Sequence, residues 1–170
     1  SPYGGIYQAN NVRGIIAWCE QLNDLGIISF ELAKIQSGIA ACRKNTSLRG
    51  RWEVYQENPC IVADTGHNES GIRQILAQVA HDQPKHLTII LGMVADKDIN
   101  RVLALFPKDA FYIFTEAKNP RALKAKALEE MASRHGLTGD VAEDVNQAIH
   151  EARNSASDFI LITGSTYLVA

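Results

Sequence analysis

The sequence predicts an α/β fold organised around a mostly parallel sheet, and two features of its pattern carry that expectation. Short runs rich in Ile, Val and Leu recur after residue 50, and stretches with apolar residues at helical spacing separate them. A sheet covered by helices buries both sides of its strands, so such strands read as unbroken apolar runs. The 170 residues, 46% of them hydrophobic, suffice for a proper core, since a chain of this size buries roughly 70% of its unfolded surface.

Taken in order, the first element is a helix from Asn11 to Leu22, where Val12, Ile15, Ile16, Cys19 and Leu22 share a face. Asn10 or Asn11 would cap it and Gly26 would stop it. A second helix is expected from Ser29 to about Arg43, with Leu32, Ile35, Gln36 and Ile39 on one side and Gly38 weakening it. The polar stretch from Lys44 to Gly50 then marks a boundary. Trp52 to Tyr55 and Cys60 to Ala63 read as short strands around a turn at Asn58-Pro59. A helix from Ser70 to His81, a strand from Leu87 to Leu91 and a helix from Asp98 to Phe106 follow. Next come a strand from Phe111 to Thr115 and a helix from Pro120 to His135, with Pro120 suited to the first helical position. The last pair is a helix from Glu143 to Asn154 and a strand from Phe159 to Thr163.

Charge and composition narrow the function classes. With 17 basic against 19 acidic residues the chain has neither a nucleic-acid arm nor a polybasic membrane surface. Its longest mostly apolar stretch, Leu87 to Ala95, is far short of the roughly 20 residues that cross a bilayer. Cys19, Cys42 and Cys60 are odd in number and widely spaced, which suits buried reduced thiols, better than a disulfide frame or zinc site, and a cytoplasmic protein. The opening Ser-Pro-Tyr-Gly-Gly and the apolar ending Tyr167 to Ala170 read as cut ends, so a piece of a longer protein is expected.

Parallel strands end on one side, and ligands of such sheets bind there. Three polar or glycine-bearing loops should therefore share a rim: Asp64 to Gly71, Gly92 to Asp98 and Thr163 to Thr166. Asp64 could accept from a ribose hydroxyl or hold a cation, and His67 could donate to a phosphate or meet an acidic substrate. The helix opened by Asn68 to Ser70 offers its positive end to an anion. In the plainer reading Asn68 or Ser70 is only a cap, Asp64 only solvates its loop, and Asp98 caps the next helix within a solvated Asp96-Lys97-Asp98 turn. Gly164-Ser165 could present amides and a hydroxyl to a carboxylate, or form a tight turn. No G-x-x-x-x-G-K-[ST] phosphate loop, G-x-G-x-x-G fingerprint, G-x-S-x-G elbow or metal-ligand spacing occurs. A non-catalytic α/β binding or interaction module therefore remains an alternative to an enzyme.

Six segments, in order, resemble one family. Gly5-Ile6-Tyr7-Gln8-Ala9-Asn10-Asn11 is similar to G-x-x-Q-x-x-N, and Gly50-Arg51-Trp52-Glu53 to a linker G-R-x-E. Asp64-Thr65-Gly66-His67-Asn68 resembles D-x-A-H-N, with Gly66 in place of alanine and Glu69 where proline is common. Leu91 to Asp98 is similar to L-G-x-x-x-D-K-D, Arg121-Ala122 to an R-A pair opening a later helix, and Thr163 to Val169 to T-G-S-x-Y-L-V. Together they resemble folylpolyglutamate synthase/dihydrofolate synthase, a member of the Mur ligase superfamily.

The resemblance implies that residues 1–47 are the last helices of a central ATPase domain. Residues 48–170 would then be the carboxyl-terminal glutamate ligase domain, a Rossmann-like, mostly parallel sheet of about six strands. It implies an ATP-dependent ligase that adds L-glutamate to dihydropteroate or a folate through an acyl phosphate, with ATP and Mg2+ as cofactors. The phosphate loop and most magnesium ligands would lie upstream, leaving this chain without a catalytic residue or metal site and inactive alone. By the same resemblance, Asn11 faces the adenine or sugar of ATP, Arg51 reaches the phosphates and Asp64 holds the ribose. His67 lies between nucleotide and glutamate, and Ser165 near the glutamate carboxylates. The apolar faces of the first two helices should pack on the sheet domain or on a second copy.

Overall fold

The computed structural model describes residues 2–95 and 99–169, which form two compact units, Ser1–Arg49 and Gly50–Ala170. The first unit is helical: α1 (Gln8–Asp24), α2 (Leu32–Ala40) and α3 (Cys42–Thr46). α1 starts before the predicted caps. Asn10 and Asn11 lie inside it and bond along its surface, Asn11 Nδ2 donating to Gln8 Oε1 at 2.9 Å and Asn10 Oδ1 accepting from Arg13 at 3.1 Å. Gly26 does end the helix. Its φ of +69° lets Ile27 N reach back to Leu22 O at 3.0 Å, a closing bond that favours glycine. The predicted second helix begins later, because Glu31 is extended, and it breaks at Ala41 (φ −90°, ψ 1°) into α2 and α3. Trp18 on α1 is 70% exposed, and Ile15, Leu25, Ile27 and Leu32 are exposed with it.

The second unit is a six-stranded sheet in the order β1-β2-β6-β3-β4-β5. Its strands are β1 (Glu53–Glu57), β2 (Cys60–Ala63), β3 (Leu87–Leu91), β4 (Phe111–Phe114), β5 (Thr138–Val141) and β6 (Phe159–Thr163). β1 is antiparallel to β2 and every other pair is parallel. The helices are α4 (Glu69–Asp82), α5 (Ile99–Leu103), α6 (Ala125–Ser133), α7 (Val145–Asn154) and α8 (Thr166–Val169). β6, last in sequence, sits between β2 and β3, which explains why all five of its residues are buried. On one face Ile61, Ile90, Ile113, Ile160 and Ile162 pack with Ala148 and Ala152 of α7 and Leu168 of α8. Alternate residues Val62, Ile89, Tyr112 and Leu161 point to the other face and are equally buried.

Four elements differ from expectation for identifiable reasons. β5 carries no apolar run; Gly139 stands opposite Tyr112, and any Cβ there would overlap the Tyr112 carbonyl, so glycine lets this edge strand close on β4. α6 starts at Ala125 and not at Pro120. Residues 121–123 instead run beside residues 93–95, with Ala95 N bonded to Arg121 O at 3.1 Å and Leu123 N to Met93 O at 2.8 Å. Arg121-Ala122 therefore opens no helix, and the first amide of α6 is met by Glu116 Oε2 at 3.0 Å. α5 stops at Leu103, where Leu105 N and Phe106 N switch to i−3 bonds, and its expected start at Asp98 lies outside the described residues. β1 begins one residue late because Trp52 has a φ of +48°. Among the described residues no helix is long and apolar enough to cross a membrane.

Carboxylates tie several loops of this unit together. Asp158 accepts from His86 N at 2.8 Å and Lys85 N at 3.1 Å, and Asp144 caps α7 by accepting from Asn146 N and Gln147 N. These amides hold both carboxyls below their ordinary range, and Lys124, with the amide of Ala125, does the same for Glu116. Groups depressed in the folded state stabilise it above their unfolded values and lose that contribution as pH falls through the folded ones. The melting temperature, followed by circular dichroism, should hold steady above about pH 5 and fall below about pH 4. Asp158→Asn should make that fall shallower.

Candidate functional site

The neighbouring strands β2, β6 and β3 deliver three loops to one rim, and hydrogen bonds lace the loops together. Gly164 N donates to Gly66 O at 3.1 Å, Thr163 Oγ1 donates to the same carbonyl at 3.3 Å, and Gly92 N donates to Thr163 O at 3.3 Å. Gly164 has a φ of +104°, and a Cβ there would stand 2.7 Å from Gly92 O, so a side chain would force the loops apart.

Asp64 follows β2 directly and is only 4% exposed. One carboxylate oxygen accepts from Gly66 N at 2.9 Å and closes the loop on itself; the other accepts from Trp52 N at 2.8 Å. Trp52 is a bulky residue in left-handed backbone, a conformation that costs about 1–2 kcal/mol unless the surroundings hold it. Here the Asp64 bond holds it, and the indole is buried 6.2 Å from the ring of Phe159. Gly50, two residues earlier, is held as firmly: its N donates to Glu53 Oε2 at 3.0 Å and its carbonyl accepts from Thr65 N at 3.0 Å. A Cβ at Gly50 would lie 2.6 Å from both Thr65 Cγ2 and Val169 Cγ1.

Arg51 lies between these two anchors and is half-buried. Its Nη1 donates to Gly50 O at 3.1 Å and to Thr65 Oγ1, two neutral acceptors, and it makes no ion pair among the described residues. Among the described residues, neutral oxygens orient the guanidinium without pairing its charge. His67 is exposed at the start of α4, and its Nδ1 lies 3.0 Å from Thr65 O. A carbonyl can only accept, so Nδ1 carries a proton; Nε2 is then an acceptor in the neutral ring and a second donor in the charged one. Asn68, and not Ser70, caps α4 by accepting from Gly71 N at 2.8 Å. Glu69 in the first turn pairs with Arg73 at 2.9 Å.

A cleft of about 370 Å³ opens here, walled by His67, Asn68, Glu69, Ser70, Met93, Val94, Ile99, Val102 and Gly164. Ser165 is adjacent but only 3% exposed, and its hydroxyl is used to accept from Tyr167 N at 3.1 Å. Arg51, Asp64 and His67 are thus brought together around Thr65, Ser165 stands behind the Gly164 wall, and Asn11 belongs to α1 of the first unit. The Asp96-Lys97-Asp98 turn lies outside the described residues. Among the described residues no cluster of three or more His, Cys, Asp or Glu side chains is placed to hold a metal ion. Thr65, Gly50 and Glu53 escaped the sequence reading as site residues. The one sequence signal for them is a glycine two residues after a strand-end aspartate, which marks a side-chain-closed turn.

Residues 50–166 match the family described as Mur ligase, glutamate ligase domain, and the chain belongs to that family. The relatives it resembles include proteins named folylpolyglutamate synthase or dihydrofolate synthase. The dihydrofolate synthase/folylpolyglutamate synthase of Bacillus subtilis is 26% identical over 98% of this chain and 38% of its own length. The folylpolyglutamate synthase of Mycobacterium tuberculosis, solved with ADP and AMPPCP, superposes with a TM-score of 0.74 at 26% identity, covering 98% of this chain and 39% of that one. A bifunctional folylpolyglutamate synthase/dihydrofolate synthase solved with Mn, AMPPNP and L-glutamate gives 0.68 at 26% identity, covering 84% and 34%. The chain therefore spans less than two fifths of the length of these relatives.

Asp64→Asn tests the latch. Asparagine offers one acceptor oxygen where two amides converge, so unfolding in urea should report a loss of about 1–3 kcal/mol, the cost of an unsatisfied buried donor.

Proposed function

We propose that the second unit is the glutamate-ligase half of an ATP-dependent ligase that joins L-glutamate to dihydropteroate or to a folate. Residues 1–47, which fall within the first unit, would be the last helices of its central ATPase domain. The exposed apolar residues Ile15, Trp18 and Leu32 fit a surface that the rest of such a domain covers. The relatives support this reading by name, and two of their structures were solved with nucleotide, one of them also with Mn and L-glutamate. The observation that carries it within this chain is Arg51, held at the rim by neutral oxygens with its charge left for an anion.

In the proposed reaction a carboxylate oxygen of the acceptor attacks the γ-phosphorus of ATP, and ADP leaves. The glutamate amine then attacks the acyl phosphate carbon, the carbon–oxygen bond to phosphate breaks, and an amide forms with loss of one amine proton. Charge must be gathered and water excluded, so oriented cations and amides contribute most. Arg51 meets the phosphates, aided by the amino end of the 14-residue helix α4. His67 turns Nε2 toward the space between nucleotide and glutamate, and Asn11 faces the adenine or sugar. The resemblance would put Asp64 on the ribose; with both oxygens receiving amides, its proposed role is to hold the linker. Ser165 is proposed to shape the Gly164 wall and not to reach glutamate. The phosphate loop and magnesium ligands would come from the rest of the protein, so this chain alone is proposed to be inactive. The free thiols of Cys19, Cys42 and Cys60 fit a cytoplasmic location.

Arg51→Ala in the full-length protein tests the reading. Turnover of ATP and glutamate should fall by about a hundredfold or more, as when one oriented transition-state donor is removed. The melting temperature should stay within a few degrees, because the lost bonds are partly exposed. Unchanged turnover would refute the assignment.

A further inference from the structure

An arginine that must meet a phosphate in one geometry needs its long stem restrained, and the restraint must not cancel its charge. Thr65 meets both requirements. It is 6% exposed, and each of its polar groups is engaged: N donates to Gly50 O, Oγ1 accepts from Arg51 Nη1, and O receives His67 Nδ1. Its rotamer is set by packing, because the Cγ2 methyl fills the space over Gly50 where even a Cβ would collide. A β-branched residue so packed has one χ1 available, and the methyl facing Gly50 leaves the hydroxyl facing Arg51. A carboxylate in the same place would orient the guanidinium more strongly but would neutralise it.

We propose that Thr65 is the positioning residue of this rim, its hydroxyl aiming the Arg51 guanidinium and its carbonyl fixing the proton of His67 on Nδ1. This rests on the phosphate-facing role of Arg51 proposed above. One residue then sets the direction of the cation and the tautomer of the imidazole, so the two groups on either side of the nucleotide–glutamate space are coupled through the chain segment between them.

Thr65→Val removes the hydroxyl, keeps the shape and leaves both backbone bonds; Thr65→Ser restores a hydroxyl. Nitrogen-15 NMR of the Arg51 and His67 side chains in the 170-residue chain reads the geometry directly. In Thr65→Val the Arg51 side-chain resonances should shift and average, in Thr65→Ser they should return toward wild type, and the His67 tautomer pattern should be unchanged in both. Arg51 resonances unaltered by Thr65→Val would overturn the proposal. In the full-length protein, Thr65→Val should raise the KM for ATP about tenfold, the size expected for one hydrogen bond to a charged group, with Thr65→Ser recovering most of it. A KM within twofold of wild type in Thr65→Val, beside an impaired Arg51→Ala, would also overturn it. Wild-type turnover in Arg51→Ala would instead overturn the phosphate-facing role of Arg51, a failure that the resonance measurement separates from failure of the grip.

Discussion

Two backbone amides from distant points of the chain, Trp52 N and Gly66 N, converge on the carboxylate of Asp64, and the rim depends on that convergence. The bond to Trp52 holds a left-handed tryptophan in place, and that turn sends the chain from Gly50 past Arg51 into β1. The bond to Gly66 bends the loop so that its carbonyl meets Gly164 and Thr163, joining the end of β2 to the end of β6. Buried charge is costly unless fully bonded, and here two backbone amides, one to each oxygen, supply part of the compensation. Arg51 is thereby left with its charge unspent beside a buried carboxylate that does not pair with it among the described residues.

The sheet order gives the latch its place. β6 follows β4 and β5 in sequence but lies between β2 and β3, so the last apolar run brings its glycine-bearing end beside a loop 97 residues earlier, at Gly66, and beside the loop after β3. Gly92 and Gly164 permit the close approach, each with a neighbouring backbone oxygen within 3.0 Å of where a Cβ would sit. The strand that completes the middle of the core also lines the cleft, which ties core packing on β6 to the placement of Gly164.

Elements set by local chemistry were legible in the sequence. Leu87–Leu91 and Phe159–Thr163 are apolar runs with polar borders, and both are strands with those bounds. Elements set by distant contacts were not. β5 exists because Gly139 admits the Tyr112 carbonyl, which no periodicity reveals. The proline signal at Pro120 lost to a backbone pairing with residues 93–95 and to capping by Glu116 from outside the helix. In the site, Arg51, Asp64 and His67 were legible as residue types in motifs. Their dependence on Thr65 was not, because the Arg51–Thr65 contact spans 14 residues and turns on the backbone conformation of Gly50 and Trp52.

Under the proposed function, the rim around Arg51 and His67 would be one side of a nucleotide site that the full-length protein completes. The most direct measurement is isothermal titration with an ATP analogue and magnesium, run in parallel on this chain and on the full-length protein. Clear binding by the full-length protein and little by the chain alone are the expected outcomes. Comparable affinity in the isolated chain would contradict that reading, because these 170 residues would then hold a nucleotide site complete in themselves.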